Sequence, residues 1–284
     1  MKNKPRKPWI AGVLTFLTIG LGHMYSGRIQ KGIRLYLGLY IVLPVCMIFL
    51  FLYPSLAAIL FSLAVGFAYV VYAIIDSVQT AKRGRSFYQL KNYNRWYFYI
   101  AVLLSSTFVI QPVLSNFIKK QIIQAYKIPA GSLKPALLIG DQILAKTGFA
   151  VNSGVQKGDL IIFSHPRDPS KDFIKRVVAV GGETVEIKGK NIYINHEKIN
   201  EPYVIHSDSR IIPANLSPRD NMPAVTVPDD SLFVMGDNRD NSHDSRFWGF
   251  VETSAVKGKA SVIYWSWDRE NFKIRWSRLG KPVN

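Results

Sequence analysis

The stretch Tyr126-Lys-Ile-Pro-Ala-Gly-Ser-Leu-Lys-Pro-Ala-Leu-Leu-Ile-Gly-Asp141 divides the chain into two unlike halves. Before it the sequence is strongly apolar; after it, short alternating runs and turn residues take over. Within it, Ser132 is a candidate nucleophile in a turn-prone setting. Gly131 permits close backbone approach and Pro135 stiffens the chain. Ile128, Leu133, Leu137, Leu138 and Ile139 flank the serine. Taken alone, Ser132 is either an ordinary loop hydroxyl or a nucleophile on a hydrophobic floor.

Upstream, residues 1–115 carry four apolar stretches. Residues 35–53, 56–75 and 96–114 each approach the roughly 20 apolar residues that a membrane span needs. Residues 9–25 are shorter and broken by Gly12, Gly20, Gly22 and His23. No signal-peptide cleavage pattern follows them, and further apolar segments do. Lys82, Arg83, Arg85, Lys91 and Arg95 make the 77–95 loop cytoplasmic, so that the 96–114 span delivers residues 116–284 outside. The Pro54 hairpin tip is then outside, and Arg28, Lys31 and Arg34 are inside. Lys2, Lys4, Arg6 and Lys7 also favour the inside. The simplest resolution is that residues 9–25 dip in and return, bending at Gly20-Leu21-Gly22; a further full span is the alternative. His23 is either functional or a helix-end histidine near the headgroups, the second reading being favoured by the neighbouring Tyr25 and Arg28. The run from Gly20 to Gly27 resembles a small Gly-Leu-Gly-x-x-Tyr-x-Gly membrane module of several bacterial proteins, which implies no chemistry.

Net charge is +17, but its distribution does not point to nucleic acid. Residues 1–115 hold 12 Lys/Arg and one acid, Asp76, a net +11; residues 116–284 hold 24 and 18, a net +6. The excess therefore sits mostly between apolar segments, and no basic block is interleaved with exposed aromatics. The single cysteine, Cys46, lies in an apolar run, which excludes an intramolecular disulfide and a thiol protease in the second half.

Downstream, residues 142–146, 159–164, 173–180, 183–187, 191–195, 202–206, 224–227, 231–235 and 259–265 read as strands, with a hairpin turn at Gly189-Lys190. The pattern predicts an all-β domain of about 165 residues, ample for a core without disulfides. Residues 207–223 read as a surface loop. Lys175 and Arg176 interrupt an apolar strand, where alternation turns one of them inward; burial lowers a lysine pKa. Residues 235–250 are dense in Asp, Asn, Ser and Arg. EF-hand spacing is absent, and Arg239 and Arg246 oppose a cation, so internal Asp–Arg pairing that fixes a loop is the better reading.

Four stretches, in order, resemble the sequence boxes of bacterial type I signal peptidases: Ile128 to Asp141, Gly158-Asp159, Ile174-Lys175-Arg176-Val177, and Gly236-Asp-Asn-Arg-Asp-Asn-Ser-His-Asp-Ser-Arg-Phe-Trp-Gly249. The resemblance covers about residues 115–281, closing on Arg275-Trp-Ser-Arg-Leu-Gly280. It implies an N-terminal α-helical membrane region plus a C-terminal all-β catalytic domain outside a bacterial cytoplasmic membrane. It implies removal of signal peptides from exported preproteins by a Ser/Lys dyad, after small residues at −1 and −3. Ser132 is then the nucleophile, Lys175 the general base and Ser242 the serine that orients the base. Asp237, Arg239, Asp244 and Arg246 match the structural acid–base pairs. A serine needs a base within reach, and the five histidines show no ordered Ser/His/Asp signature; a neutral lysine in a dry setting serves instead. Ile128, Pro129, Ala130, Leu133, Leu137, Phe173 and Ile174 are expected to form the dry floor and its alanine-sized pockets. The implied partners are preproteins and the phospholipid membrane, with the export machinery as a candidate and nucleic acid excluded. No metal or cofactor motif is present. Trp265, Trp267 and Trp276 suit either the membrane interface or the core.

The chain departs from the family at Ala130, Leu133 and Ala136, where Ser, Met and Thr are frequent. A serine at the Ala130 position donates to the oxyanion hole in many Gram-negative members, and losing such a donor costs roughly 10²–10³ in rate elsewhere. The expectation is an active enzyme with a differently completed oxyanion hole. Two alternatives are a specialised peptidase with a narrow substrate set and a weakened relative that binds signal segments as an adaptor. The presence of Ser132, Lys175 and Ser242 together argues against the adaptor.

Overall fold

The computed structural model describes residues 6–53, 55–84, 92–148, 151 and 154–283. The chain forms two compact units, Met1–Tyr53 with Ala57–Phe117, and Pro54–Leu56 with Ile118–Asn284. Lys2, Lys4, Pro54, Arg85 and Lys91, on which part of the charge-based orientation rests, lie outside the described residues.

The first unit is helical. Helix α1 (Pro8–Leu17) starts with proline in its first turn, where a missing N–H costs nothing, and stops at the extended Thr18. Gly20 then adopts a left-handed φ of 93° and opens α2 (Leu21–Tyr25). A Cβ on Gly22 would collide with the carbonyl oxygen of Ala11, so only glycine lets α2 lie against α1. Residues 9–25 are therefore two short helices rather than one. Three long apolar segments follow: Ile29–Leu50 within α3 (Ile29–Leu52), all of α4 (Leu56–Arg83), and Trp96–Gln121. Each is long and apolar enough to cross a membrane. The last comprises α5 (Trp96–Ser105), one π-turn at Ser106–Ile110 and α6 (Gln111–Gln121). Apolar side chains such as Ile41, Phe67 and Phe108 project outward along these helices, as a lipid-facing surface requires. The helices outrun the apolar stretches because their polar ends, including Gln30-Lys31 and Lys82-Arg83, are good helix formers.

His23 corrects the sequence reading. It is fully buried, with Nε2 2.6 Å from Asp76 Oδ2, rather than sitting at an exposed helix end. Lys31 Nζ lies 2.7 Å from the same oxygen. The one acid of the first 115 residues thus joins α2, α3 and α4.

The second unit is β-rich. Its larger sheet has eight strands, in the order β1 (Ile123–Lys127), β2 (Asp141–Thr147), β11 (Val256–Asp268), β3 (Leu160–His165), β4 (Asp168–Val180), β9 (Ser231–Met235) and β10 (Val251–Glu252), with β12 (Lys273–Ile274) paired on β11. The smaller sheet orders β7 (Glu197–Lys198), β6 (Asn191–Ile194), β5 (Thr184–Lys188) and β8 (Met222–Thr226). All strand pairs are antiparallel. The β5–β6 turn has positive φ at Gly189 and Lys190, the geometry that matches strand twist in a two-residue hairpin. Beyond the strands, α7 (Ser245–Trp248) is a single turn capped by Asp244.

Residues 202–206 are not a strand. Pro202 lacks a ladder donor, and the Tyr203 ring is taken up by the Arg176 guanidinium, 4.0 Å from its centroid. Ile205 alone bridges to Asn238, making this segment a strap across residues 237–239. Residues 207–221 form a loop as expected, tied down by Asp208, Arg219, Asp220, Lys190 and Asp240, whereas Met222 and Pro223 of the expected loop already belong to β8, paired on β5. Trp276 is 69% exposed, whereas Trp265 and Trp267 are half-buried on β11.

Candidate active site

The turn that carries Ser132 is built by its neighbours in sequence. Ile128 ends β1 by donating to Asp141 O, and Gly140 N–H returns to Ile128 O, closing residues 128–141 into a loop against β2. Leu133 and Leu137 anchor it, at 1% and 0% exposure, in a core with Ile128, Ile143, Leu160 and Ile162. Ser132 between them stays half-buried. Pro129 and Ala130 are exposed.

Lys175 comes from β4, whose central register pairs it with Ile161 of β3. Its Nζ lies 2.8 Å from Ser132 Oγ, across 43 residues of sequence. Lys175 is 4% exposed, and burial pulls its pKa down to about 8. Asp244 and Asp237 oppose that shift and Arg246 reinforces it. Alternation predicted one inward residue of the pair 175–176; both are buried, because the strand is covered on both faces.

Gly236 lies beneath Ser132. A side chain there would collide with both Ser132 O and Ser242 Oγ, so glycine sets how closely the two segments approach. Asn238 then holds the turn from below: its N–H donates to Ser132 O at 3.0 Å and its Nδ2 to Gly131 O at 3.2 Å. Asn241 donates to Asn238 Oδ1 and fixes the amide orientation. Ser132 N–H makes no backbone hydrogen bond among the described residues and is available to a ligand. Ser242 is placed beside this turn, but its buried Oγ makes no hydrogen bond to Lys175.

The acid–base box closes differently from the internal pairing read in the sequence. Asp244 does pair with Arg246, at 2.8 and 2.9 Å, and also accepts from Gly236 N–H. Arg246 outweighs the burial that would raise the Asp244 pKa, which lies below the usual carboxylate range. Asp237 instead takes a two-pronged bond from Arg176, both contacts at 2.8 Å. Burial still pushes Asp237 up. Arg239 reaches Glu201, at 2.6 and 2.7 Å. Arg176, Glu201, Tyr203 and Asn238 are the residues that sequence reasoning did not single out. Arg176 carried a signal, as a second charge inside an apolar strand, and Asn238 lay within the Gly236–Gly249 box.

The expected apolar floor also divides. Ile128, Leu133 and Leu137 are buried core and present no open surface; Ile174 packs on that core. Phe173 belongs to another cluster with Phe163, Val177 and Trp248. Pro129 and Ala130, with the half-buried Phe173 and Ile174, retain accessible surface. Among the described residues, no cluster of His, Cys, Asp and Glu has the makings of a metal site.

Similarity to known proteins spans the stretch that holds Ser132 and Lys175. Residues 99–265 match the family model described as signal peptidase, peptidase S26. Signal peptidase I of Aquifex aeolicus is 35% identical over 201 residues, covering 53% of this chain and 78% of that protein. Signal peptidase I of Leptolyngbya laminosa is 35% identical over 167 residues, covering 55% and 76%. A solved signal peptidase I from Enterococcus faecalis V583 aligns with 37% of this chain and 96% of its own, at 32% identity and a TM-score of 0.31. A match over more than half of the chain, with relatives covered over three quarters of their length, shows that the chain belongs to the signal peptidase family, peptidase S26, and is a serine peptidase.

Proposed function

We propose that this chain is a membrane-bound endopeptidase that removes N-terminal signal peptides from exported preproteins, with Ser132 as nucleophile and Lys175 as general base. The carrying observation is the 2.8 Å contact between Lys175 Nζ and Ser132 Oγ in a setting that lowers the lysine pKa to about 8. A neutral Nζ has a lone pair and accepts the hydroxyl proton as Oγ attacks the scissile carbonyl carbon. The developing oxyanion is met by Ser132 N–H. As the intermediate collapses, the ammonium returns its proton to the leaving amine and the carbon–nitrogen bond breaks. Water, deprotonated by the same lysine, then hydrolyses the acyl ester.

Ser242 acts in this reading as a neighbour that packs the lysine site, its hydroxyl free to engage Lys175 once substrate excludes water. The surface around Pro129, Ala130, Phe173 and Ile174 leaves room for small side chains at −1 and −3. Three long apolar segments tether the enzyme to the bilayer that also holds the signal segment, which raises their effective concentration. In this topology residues 116–284 lie outside and the short pair α1–α2 dips in without crossing: ten residues of α1 span only about 15 Å.

The test is cleavage of an Ala-x-Ala preprotein in detergent across pH 6–10 by the wild type and by Ser132→Ala, Lys175→Ala and Ala130→Ser. Loss of cleavage in the first two, with wild-type activity rising through about pH 8, supports the dyad. Ala130→Ser is expected to change the rate less than about tenfold, well under the roughly 10²–10³ of an essential oxyanion donor. Full cleavage by Lys175→Ala would remove the lysine from the mechanism.

A further inference from the structure

The proposed peptidase chemistry makes no use of the Gly20–Gly27 run, yet its glycines, two of its carbonyls and the Nε2 of His23 are engaged in one construction. Gly20 at φ 93° sits against the Gly32 carbonyl. The buried His23 ring bonds Asp76, and Asp76 holds Lys31. Arg28 N–H donates to His23 O at 2.8 Å, and Gly27, at φ 83°, accepts from Tyr93 OH at 2.9 Å. The result is a rigid turn into α3 with a recess of about 430 Å³ against it.

Gly27, Arg28, Ile29, Gln30, Lys31 and Arg34 line this recess, and none of them is acidic. Two of its three cations are aimed by partners. Arg34 Nε donates to Gln30 O, folding its side chain back along the first turn of α3, and Lys31 is held by Asp76. With Asp76 counted against Lys31, the group carries two uncompensated charges. Its position decides what it meets. The recess opens where the candidate span Ile29–Leu50 begins, the level at which a helix entering a bilayer passes the headgroups, whichever side that is.

We infer that the recess between Gly27 and Arg34 is a binding site for the phosphate of an anionic phospholipid headgroup, with Arg28 and Arg34 as its ligands. Basic pockets at the ends of spanning helices suit such headgroups, and the fixed turn keeps the ordering cost of binding low. This site is independent of Ser132 and Lys175.

The experiment uses the full chain, delipidated in a zwitterionic detergent and titrated with fluorescent phosphatidylglycerol, with phosphatidylcholine, whose zwitterionic headgroup has no net charge, as the comparison. Wild type is expected to prefer phosphatidylglycerol, and Arg28→Gln with Arg34→Gln to weaken it by about 30-fold, from two surface cations. Arg28→Lys with Arg34→Lys should restore most of the affinity, which also controls for folding. Lys82→Gln with Arg83→Gln, a basic pair outside the recess, should leave it unchanged. Equal loss in that second pair would mean diffuse charge and overturn the assignment. So would displacement by inorganic phosphate at concentrations matching those of the lipid, or equal binding of phosphatidylcholine. Preprotein cleavage in detergent should be the same for all variants.

Discussion

Lys175 carries opposing demands. Burial at 4% exposure makes it a usable base at mild pH and makes the folded state carry an ill-solvated ammonium below that pH. With a folded pKa of about 8 and an unfolded value of about 10.4, the unfolded chain binds more protons between those values, so stability rises with pH across that window. Below about pH 8 the penalty is fully present. Lys175→Met should therefore be inactive, yet more stable than wild type at pH 6–7, with the gap closing towards pH 10.5; denaturant unfolding at several pH values checks this. Asn238 works through the nucleophile rather than on substrate, holding the carbonyls of Gly131 and Ser132. Asn238→Ala should lower kcat by about 10- to 100-fold, the range for a small misplacement of reacting groups, while KM moves little. Asn238→Asp keeps the Oδ1 acceptor but sets a second acceptor against the Gly131 carbonyl in place of the Nδ2 donor, and should lower kcat at least as much as Asn238→Ala. A purely structural role would instead lower the folded fraction and leave the kcat of the folded enzyme intact.

At the scale of elements, the site is a meeting of three segments: the 128–141 loop, strand β4 and the 236–248 box. Buried charge links them. Arg176 on β4 grips Asp237 of the box with 3% and 1% side-chain exposure, and Arg239 grips Glu201 of the strap. Cutting one partner leaves an uncompensated buried charge, which costs about 3–5 kcal/mol. Asp237→Ala should destabilise the protein by about that much, while Arg176→Met with Asp237→Leu should recover most of it. Chemical denaturation of the three proteins measures the difference. If the double variant regains stability without activity, the pair serves to hold the box in place beside Lys175.

At the scale of the whole molecule, function depends on where the two units lie relative to a bilayer. The proposed arrangement, with residues 116–284 outside and both the amino terminus and the 77–95 loop inside, rests on the charge distribution and the short α1–α2 pair. In a Cys46→Ala background, Ser209→Cys should react with an impermeant maleimide in intact cells. Lys82→Cys and Lys7→Cys should react only after the membrane is opened. Labelling of Lys7→Cys in intact cells would make residues 9–25 a crossing segment.

The sequence by itself determined the division into an apolar helical half and a β-rich half, because apolar length and two-residue alternation are local properties of the chain. It also singled out Ser132 and Lys175 as the proposed dyad, since the order of the boxes needs no coordinates. What only the tertiary structure decided is pairing over long separations. Asp237 has an arginine two residues away and bonds one 61 residues away; Glu201 carries no local sign of its tie to Arg239. His23 looks like a helix-end residue until Asp76, 53 positions later, is seen to hold it. Residues 202–206 have strand-like composition, but a guanidinium claims the tyrosine and Ile205 alone makes a bridge. Such choices belong to no stretch of sequence, because a buried charge is satisfied by whichever partner the packed chain brings within reach.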